Sequence, residues 1–355
     1  MKHTLDELRQ WQALPLSIKI RMTKERIRQW INEYGEDGVY VSFSGGKDST
    51  VLLDLVRQDY PNVVAVFVDT GLEYPEIRNF VKTFDNVVWL KPKLTFKEVI
   101  KKYGYPFISK EIAQTVDEIK SFREKHDDNP QGYYRWKKLN GEAIDKKTGK
   151  PSSYNIPQWK FLLDSPYKIS HKCCHVMKKN PAKTYEKTTN RQAITAQMAC
   201  ESRLRAAEWM KHGCNAFDNK RPISNPMSFW TEQDVLLYIK QYNIPICSVY
   251  GEIVEDTDGT NEVAGQMTIS DLAGWENMEL FDAERLPLKT TGCSRTGCMF
   301  CGFGCHLNND QRFVKMKETH PKQYDYIMRP ESEGGLNYKE IIDWINEHGN
   351  LNIKY

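Results

Sequence analysis

Three short apolar runs alternate with helical patterns near the start of the chain. Val39-Tyr-Val-Ser-Phe43 is β-branched and aromatic, and a helical pattern from Asp48 to near Gln58 follows through Val51, Leu52, Leu55 and Val56. Val63–Val68 is continuously apolar, as a strand covered on both faces should be. Tyr74-Pro75-Glu76 then opens a helix, and Val87-Val-Trp-Leu90 is a third strand. Before this block, Ile18, Ile20, Met22, Ile27 and Trp30 recur at helical spacing among Lys and Arg. After it, Gln192–Ala196 is a candidate strand and Glu201–Met210 a candidate helix. Thr231 stands as N-cap before an acidic first turn. Strand–helix alternation with buried strands predicts an α/β class with a doubly wound parallel sheet.

Between residues 119 and 160 the periodicity fades into Lys, Asp, Gly and Asn with Tyr133, Tyr134, Trp136 and Trp159. A solvated insertion is the expectation there; a loop closing on nucleotide or RNA is the alternative. Gly251–Glu284 reads as a second, acidic surface insertion. Helices, including Tyr338–Glu347, are expected beyond Arg312. The predicted division is an N-terminal helical segment (1–36), a nucleotide-binding α/β domain (37–245) and a C-terminal helical, cysteine-rich region (246–355).

The 355 residues are 40% hydrophobic and 27% charged, as in ordinary globular proteins. No apolar run approaches the ~20 residues needed to cross a bilayer, so no membrane partner is expected. The first residues, Met1-Lys-His-Thr-Leu-Asp-Glu-Leu-Arg, hold no apolar signal core, and a cytoplasmic protein is expected. A net charge of +3 makes no global case for nucleic acid. A basic face built from Lys91, Lys93, Lys97, Lys101, Lys102, Lys178 and Lys179 is more simply a solvated one.

The chemistry concentrates in Ser44-Gly-Gly-Lys-Asp-Ser49. A glycine turn between strand and helix lets successive N–H groups face one hollow, and the helix dipole favours an anion there. Ser44, Ser49 and Thr50 add hydroxyls and Lys47 adds charge. Asp48 would repel a bare phosphate, so it is expected to cap the helix or to meet magnesium. The spacing is not that of the ordinary nucleoside-triphosphate P-loop.

This segment resembles the pyrophosphate loop of the adenine-nucleotide α-hydrolase superfamily, in the form of the phosphoadenosine-phosphosulfate (PAPS) reductase family. Further blocks are similar and in order. Val66-Phe-Val-Asp-Thr-Gly-Leu-Glu-Tyr-Pro-Glu76 resembles the second-strand signature, implying an adenosine-side role for Asp69, Thr70 and Gly71. Ile194–Arg205 resembles a Gly-x-Arg-x-x-Glu-Ser-x-x-Arg block: Glu201, Ser202 and Arg205 match, while Met198 replaces an arginine and Ala196 a glycine. Arg203 and Arg205 are candidates to hold phosphate or substrate. Pro226–Leu236 and Ile244-Pro245 match a helix and loop. Thr291-Gly-Cys-Ser-Arg-Thr-Gly-Cys-Met-Phe-Cys301 ends in the family's Gly-Cys-x-x-Cys.

Nine cysteines without a secretion signal argue against a disulfide framework. Cys173-Cys174 with Cys298 and Cys301 resembles the [4Fe–4S] ligand set of the cluster-bearing branch. Thiolates suit iron–sulfur clusters or zinc, and adjacent cysteines suit a cubane better than one small ion. Cys293, Cys305 and His306 are surplus: alternative ligands, a sulfur-carrying thiol, or buried residues. Cys200, Cys214 and Cys247 are expected as small buried side chains.

Family reductases attack sulfate with a cysteine in a C-terminal Glu-Cys-Gly-Leu-His segment; this chain has no cysteine after Cys305. The leading expectation is therefore an ATP-dependent adenylating sulfur transferase with a [4Fe–4S] cluster, ATP and Mg2+. Lys47, Asp48 and Arg205 would be catalytic, and Ser44 to Ser49 would bind pyrophosphate. Its partners would be an adenine nucleotide, a nucleic-acid or small-molecule acceptor, a sulfur donor such as a cysteine desulfurase, and a second copy in a homodimer. A diverged PAPS or adenylyl-sulfate reductase and a non-catalytic nucleotide-binding module are the alternatives. Lys47→Ala is expected to slow turnover and leave the fold intact.

Overall fold

The computed structural model describes residues 2–125, 133–257 and 286–355. In chain order its main elements are helices α1 (Leu5–Gln12) and α2 (Leu16–Tyr34), strand β1 (Val39–Ser42), α3 (Lys47–Asp59), β2 (Ala65–Val68), α4 (Pro75–Val81) and β3 (Val87–Leu90). There follow α5 (Phe96–Tyr103), β4 (Phe107–Ile108), α6 (Lys110–Lys125), α7 (Tyr134–Asn140), α8 (Asn180–Thr189), β5 (Gln192–Ile194) and α9 (Arg203–His212). The chain continues through β6 (Asn215–Ala216), β7 (Ile223–Ser224), α10 (Glu232–Tyr242), β8 (Ile253–Glu255), β9 (Leu288–Thr290) and β10 (Gly302–Phe303). It closes with α11 (Arg312–Thr319), α12 (Pro321–Met328) and α13 (Tyr338–Gly349). None of the described helices is long and apolar enough to cross a membrane. Two compact units form: residues 1–69, 73–91 and 182–296, and residues 70–72, 92–181 and 297–355.

The first unit holds a six-stranded sheet of order β3-β2-β1-β5-β7-β6. All pairings are parallel except β6 with β7. Alternation decides the faces. Val39, Val41 and Phe43 join the large core with Leu52, Val56, Trp230 and Tyr238, whereas Tyr40, Val64, Val66 and Ala193 form a smaller core on the other side. Burial on both faces is what the apolar runs predicted, and the class is the expected doubly wound α/β. Strand order reverses at β1, whose neighbours are β2 and β5, so the crevice beyond the carboxyl end of β1 lies at the switch point.

In the second unit β4 pairs in parallel with β10, and α5, α6, α7 and α11 to α13 surround this short ladder or extend from it. Here one expectation fails. The segment 119–160 is not simply a solvated insertion: Ile119, Leu139, Ala143 and Trp159 are buried, and α7 packs on α6 and on a 3-10 turn at Pro157–Asp164. Isolated apolar residues between charges were enough to anchor it. Residues 126–132 of that segment, and 258–285 of the acidic segment, lie outside the described residues.

Candidate functional site

The turn after β1 is shaped by two glycines. Gly45 has φ +71°, and a Cβ there would lie 2.7 Å from Val81 Cγ2 and 3.0 Å from Ile77 Cγ2. Both conformation and space therefore require glycine. Gly46 is the N-cap of α3, without a side-chain cap. Asp48 thus sits in the first turn and does not cap the helix. Hydroxyls hold the turn. Ser44 Oγ accepts the Gly46 N–H at 3.3 Å and lies 3.0 Å from Ser49 Oγ; Ser49 Oγ and Thr50 Oγ1 donate to Gly46 O at 2.9 and 3.1 Å. The Lys47 N–H donates to the Tyr250 hydroxyl at 3.2 Å.

Lys47 is buried. Its Nζ lies 2.9 Å from Glu232 Oε1, donates to Ser294 O at 2.8 Å and is 3.8 Å from Asp48 Oδ1. Glu232, at the start of α10, comes with the Thr231 cap: Thr231 Oγ1 accepts the Asp234 N–H, and Asp234 Oδ2 accepts the Thr231 N–H. Asp48 Oδ1 and Glu232 Oε2 are buried and find no hydrogen-bond partner among the described residues. Burial pushes the Asp48 carboxyl above its ordinary range; Lys47 pulls against this and Glu232 adds to it.

Beyond β5, Glu201 is an anchor. Its Oε2 accepts the Met198 N–H at 3.0 Å and contacts Arg205, and its Oε1 is 3.8 Å from Arg295 Nη1. Ser202 caps α9 by accepting the Arg205 N–H at 3.3 Å. Arg203 is exposed, and Met198 is buried. At the end of β2, Asp69 Oδ2 accepts from Arg78 Nη2 at 2.8 Å. Thr70 and Gly71 belong to the second unit. There Thr70 Oγ1 accepts the Leu72 N–H at 3.2 Å, and Gly71 has φ +75° with open space where a Cβ would be.

The second unit also holds Cys173, Cys174, Cys298, Cys301 and Cys305. Cys298 and Cys301 bracket a turn closed by the Cys301 N–H to Cys298 O at 3.1 Å. The backbone of this turn is well held. Arg312 Nη1 donates to Cys301 O and to Phe303 O at 2.8 Å each, its guanidinium is paired with Asp310, and the buried Tyr338 hydroxyl donates to Phe300 O at 2.6 Å. Gly302 must be glycine, because a Cβ would meet Phe107 Cδ1 at 2.7 Å and Pro106 O at 2.8 Å. Beside it Ile108 has φ +68°, a strained conformation for a β-branched residue, and its carbonyl accepts the Gly304 N–H at 2.6 Å.

The thiols sense one another. A hydrogen bond from Cys173, with Lys110, Lys178 and Lys179 nearby, holds the Cys174 thiol below its ordinary range. The same bond, burial and the fields of Cys174, Cys298 and Cys301 push Cys173 up. Burial pushes Cys305 up to about 12. Among the described residues no group of three or more His, Cys, Asp or Glu side chains is placed to hold a single metal ion. Cys293 lies in the first unit; Cys214 and Cys247 are buried there as expected, and Cys200 is partly buried.

The sequence reading missed Glu232, Tyr250, Ser294, Thr296 and Arg312. Glu232 and the Ser294–Thr296 stretch lie inside the family-like segments Pro226–Leu236 and Thr291–Cys301, so a signal was present. Tyr250 and Arg312 carried none.

A family model described as the phosphoadenosine phosphosulfate reductase domain matches residues 38–302. An adenosine 5'-phosphosulfate reductase of Geobacillus kaustophilus is 34% identical over 87 residues, 24% of this chain and 34% of that protein. The chain therefore aligns with about a third of that relative. One from Staphylococcus epidermidis is 25% identical over 224 residues, 62% of this chain and 68% of the relative. A solved phosphoadenylyl-sulfate (PAPS) reductase of Candida auris, a phosphate complex, has 14% identity and a TM-score of 0.36, covering 70% of this chain and 91% of that one. One model thus spans most of the chain, from just before β1 to the Cys298–Cys301 turn, and the chain belongs to the phosphoadenosine phosphosulfate reductase domain family.

Proposed function

We propose that this member of the family is a magnesium- and ATP-dependent adenylating enzyme that transfers sulfur. The observation that carries the reading is the Asp48 carboxylate. Its Oδ1 is buried, finds no hydrogen-bond partner among the described residues, and lies in the first turn after the glycine loop. Such an oxygen suits the cation that accompanies a triphosphate. The loop's glycine turn, serine hydroxyls and helix N-terminus suit the pyrophosphate, and the switch-point position suits the nucleotide.

In this reading an acceptor carbonyl oxygen attacks the α-phosphorus of ATP. The bond from α-phosphorus to the bridging oxygen breaks, and pyrophosphate leaves with that electron pair. A sulfur nucleophile then adds at the activated carbon, and AMP departs with the former carbonyl oxygen. Glu232 and Asp48 set the position of Lys47, whose charge would offset that of the leaving group.

The thiol chemistry fits an iron–sulfur cluster held by Cys173, Cys174, Cys298 and Cys301. All four thiols belong to the second unit, Cys298 and Cys301 bracket one braced turn, and soft thiolates suit iron. When bound, the cluster supplies soft iron for holding sulfide or relaying electrons.

A second reading, a diverged sulfonucleotide reductase, is favoured by the relatives, which are named adenosine 5'-phosphosulfate reductases. Calorimetry on anaerobically purified protein separates the two, with Mg·ATP, adenylyl sulfate and PAPS titrated side by side. Preference for Mg·ATP, lost on Asp48→Asn, is the expected result. Preference for a sulfonucleotide, unchanged by that substitution, would replace the first reading with the second.

A further inference from the structure

The second unit carries two cysteine pairs that lie far apart in sequence, and one short stretch of its backbone holds the approach to both. The Tyr105 N–H donates to Lys168 O at 2.7 Å and Tyr105 O accepts the Ser170 N–H at 2.9 Å, so Tyr105 bridges in parallel to Ile169, shortly before Cys173-Cys174. Two residues further on, Phe107 and Ile108 pair with Gly302 and Phe303, directly after Cys301. The Cys298–Cys301 turn has its brace in Arg312 and Tyr338. The Cys173-Cys174 pair opens instead onto a π-helical turn, His175–Lys179, a rare form found mostly at functional sites. Its brace comes from the residues just before it.

Asp117, on α6, reaches these residues with one oxygen. Its Oδ2 accepts from Ser170 Oγ at 3.3 Å, lies 2.9 Å from Lys172 Nζ and is 3.8 Å from His171 Nδ1. Three consecutive side chains, immediately before the two cysteines, therefore converge on a single carboxylate. Ser170 is fully buried, and its Oγ also accepts the Lys172 N–H at 3.3 Å. The Asp117 side chain is only 15% exposed, so these contacts are poorly screened by water. One turn further along α6, Lys120 Nζ donates to Ser165 O at 3.1 Å and fastens the start of the same segment. The apolar stripe of α6 is Ile112, Ala113, Val116 and Ile119. Asp117 stands outside that stripe, and its contacts go to the cysteine-bearing segment.

We propose that Asp117 is the positioning residue of the Cys173-Cys174 pair: it holds residues 170–172 so that both thiols stand in place before any metal arrives. Ordering a loose segment costs free energy at the moment of binding, and a segment already held avoids that cost. Residues that orient ligands in this way govern metal affinity without touching the metal. The role in metal uptake rests on the four thiols holding a cluster; the holding of the thiols themselves does not.

The test uses the full-length protein as wild type, Asp117→Ala and Asp117→Asn. Metal-free protein is alkylated anaerobically with iodoacetamide, and each cysteine is followed by mass spectrometry. Asp117→Ala should speed alkylation of Cys173 and Cys174 roughly tenfold, as for loss of one hydrogen bond to a charged group. Cys298 and Cys301 should stay within about twofold. After anaerobic reconstitution, iron retained against a chelator should fall by roughly ten- to a hundredfold, and the visible and EPR spectra of what remains should change. Asp117→Asn keeps an acceptor oxygen for Ser170 and Lys172 without the charge, so it should recover part of both effects. Equal speeding at all four cysteines, no speeding at Cys173 and Cys174, or iron held as tightly as in wild type overturns the assignment. If the wild type takes up no iron, the cluster reading falls and the alkylation pattern alone decides the role of Asp117.

Discussion

The glycine loop of the first unit and the thiol turn of the second each depend on a glycine where a Cβ would clash, Gly45 and Gly302, but they gather different side chains. Around Gly45 and Gly46 the hydroxyls of Ser44, Ser49, Thr50 and Tyr250 serve the backbone, while Asp48 Oδ1, 3.8 Å from Lys47 Nζ, and Glu232 Oε2 find no hydrogen-bond partner among the described residues. Around Cys298 and Cys301 the carbonyls of Cys301, Phe303 and Phe300 are held by Arg312 and Tyr338, and Cys173, Cys174 and Cys305 belong to the same unit. An unmatched carboxylate asks for a cation; grouped thiols ask for a soft metal. In both places the same local device recurs: backbone groups are satisfied internally around a glycine that a Cβ would not fit, Gly45 in one and Gly302 in the other.

The sharpest way to break the comparison is at Lys47. The sequence led to the expectation that Lys47→Ala slows turnover and leaves the fold intact. The structure corrects this: Lys47 is buried against Glu232, so Lys47→Ala leaves a buried carboxylate without its partner. The expected loss is about 3 kcal/mol in chemical denaturation, together with the loss of nucleotide turnover. Lys47→Met combined with Glu232→Gln should recover most of the stability and none of the turnover. A single Lys47→Ala variant as stable as wild type would refute the pair.

The matching change in the thiol region is Arg312→Ala. It removes donors from Cys301 O and Phe303 O and takes the guanidinium from Asp310, which keeps only the backbone N–H of residue 312. A loss of about 2 kcal/mol is expected, with reduced iron after anaerobic reconstitution, because the turn that presents Cys298 and Cys301 loses its brace. Reconstitution with full iron content would show that the thiols do not depend on that brace. The comparison also says that nucleotide binding in the first unit should survive Arg312→Ala, and a loss there would erase the distinction between the regions.

Much of this could be read from the chain, and the limits are physical. The strands β1, β2 and β3 and helix α3 announce themselves through apolar runs and helical spacing because they are buried on both sides or on one stripe. Two-residue strands such as Asn215–Ala216 and Ile223–Ser224 are too short to show any period. The glycine loop was legible because local backbone geometry dictates its residues. Tyr250, 203 positions from Lys47, and Ser294, 247 positions away, were not, because their roles exist only once the chain is folded. Thr231 was recognised as a cap, which made the next residue look like an ordinary first-turn acid. Tertiary contact turned Glu232 into the partner of Lys47.

The smallest expected effect concerns Asp48, and its sign is the informative part. Its carboxyl titrates above the ordinary aspartate range, chiefly because it is buried, so the folded protein binds this proton more tightly than the unfolded chain does. Above the folded-state pKa the group is ionised in both states, and folding bears the cost of burying its charge. As pH falls through that pKa and then through the unfolded value, the cost disappears. Asp48→Asn should therefore raise stability at neutral pH by about 1 kcal/mol, with the gain shrinking toward pH ~4. Mg·ATP affinity needs the ionised form, so it should move the other way: weaker in Asp48→Asn, and falling in wild type as acidification passes the raised pKa. Thermal melts and calorimetry across pH 4 to 8 check both slopes. A variant less stable than wild type at neutral pH would mean that Lys47 already satisfies Asp48, and that no place is kept there for a cation.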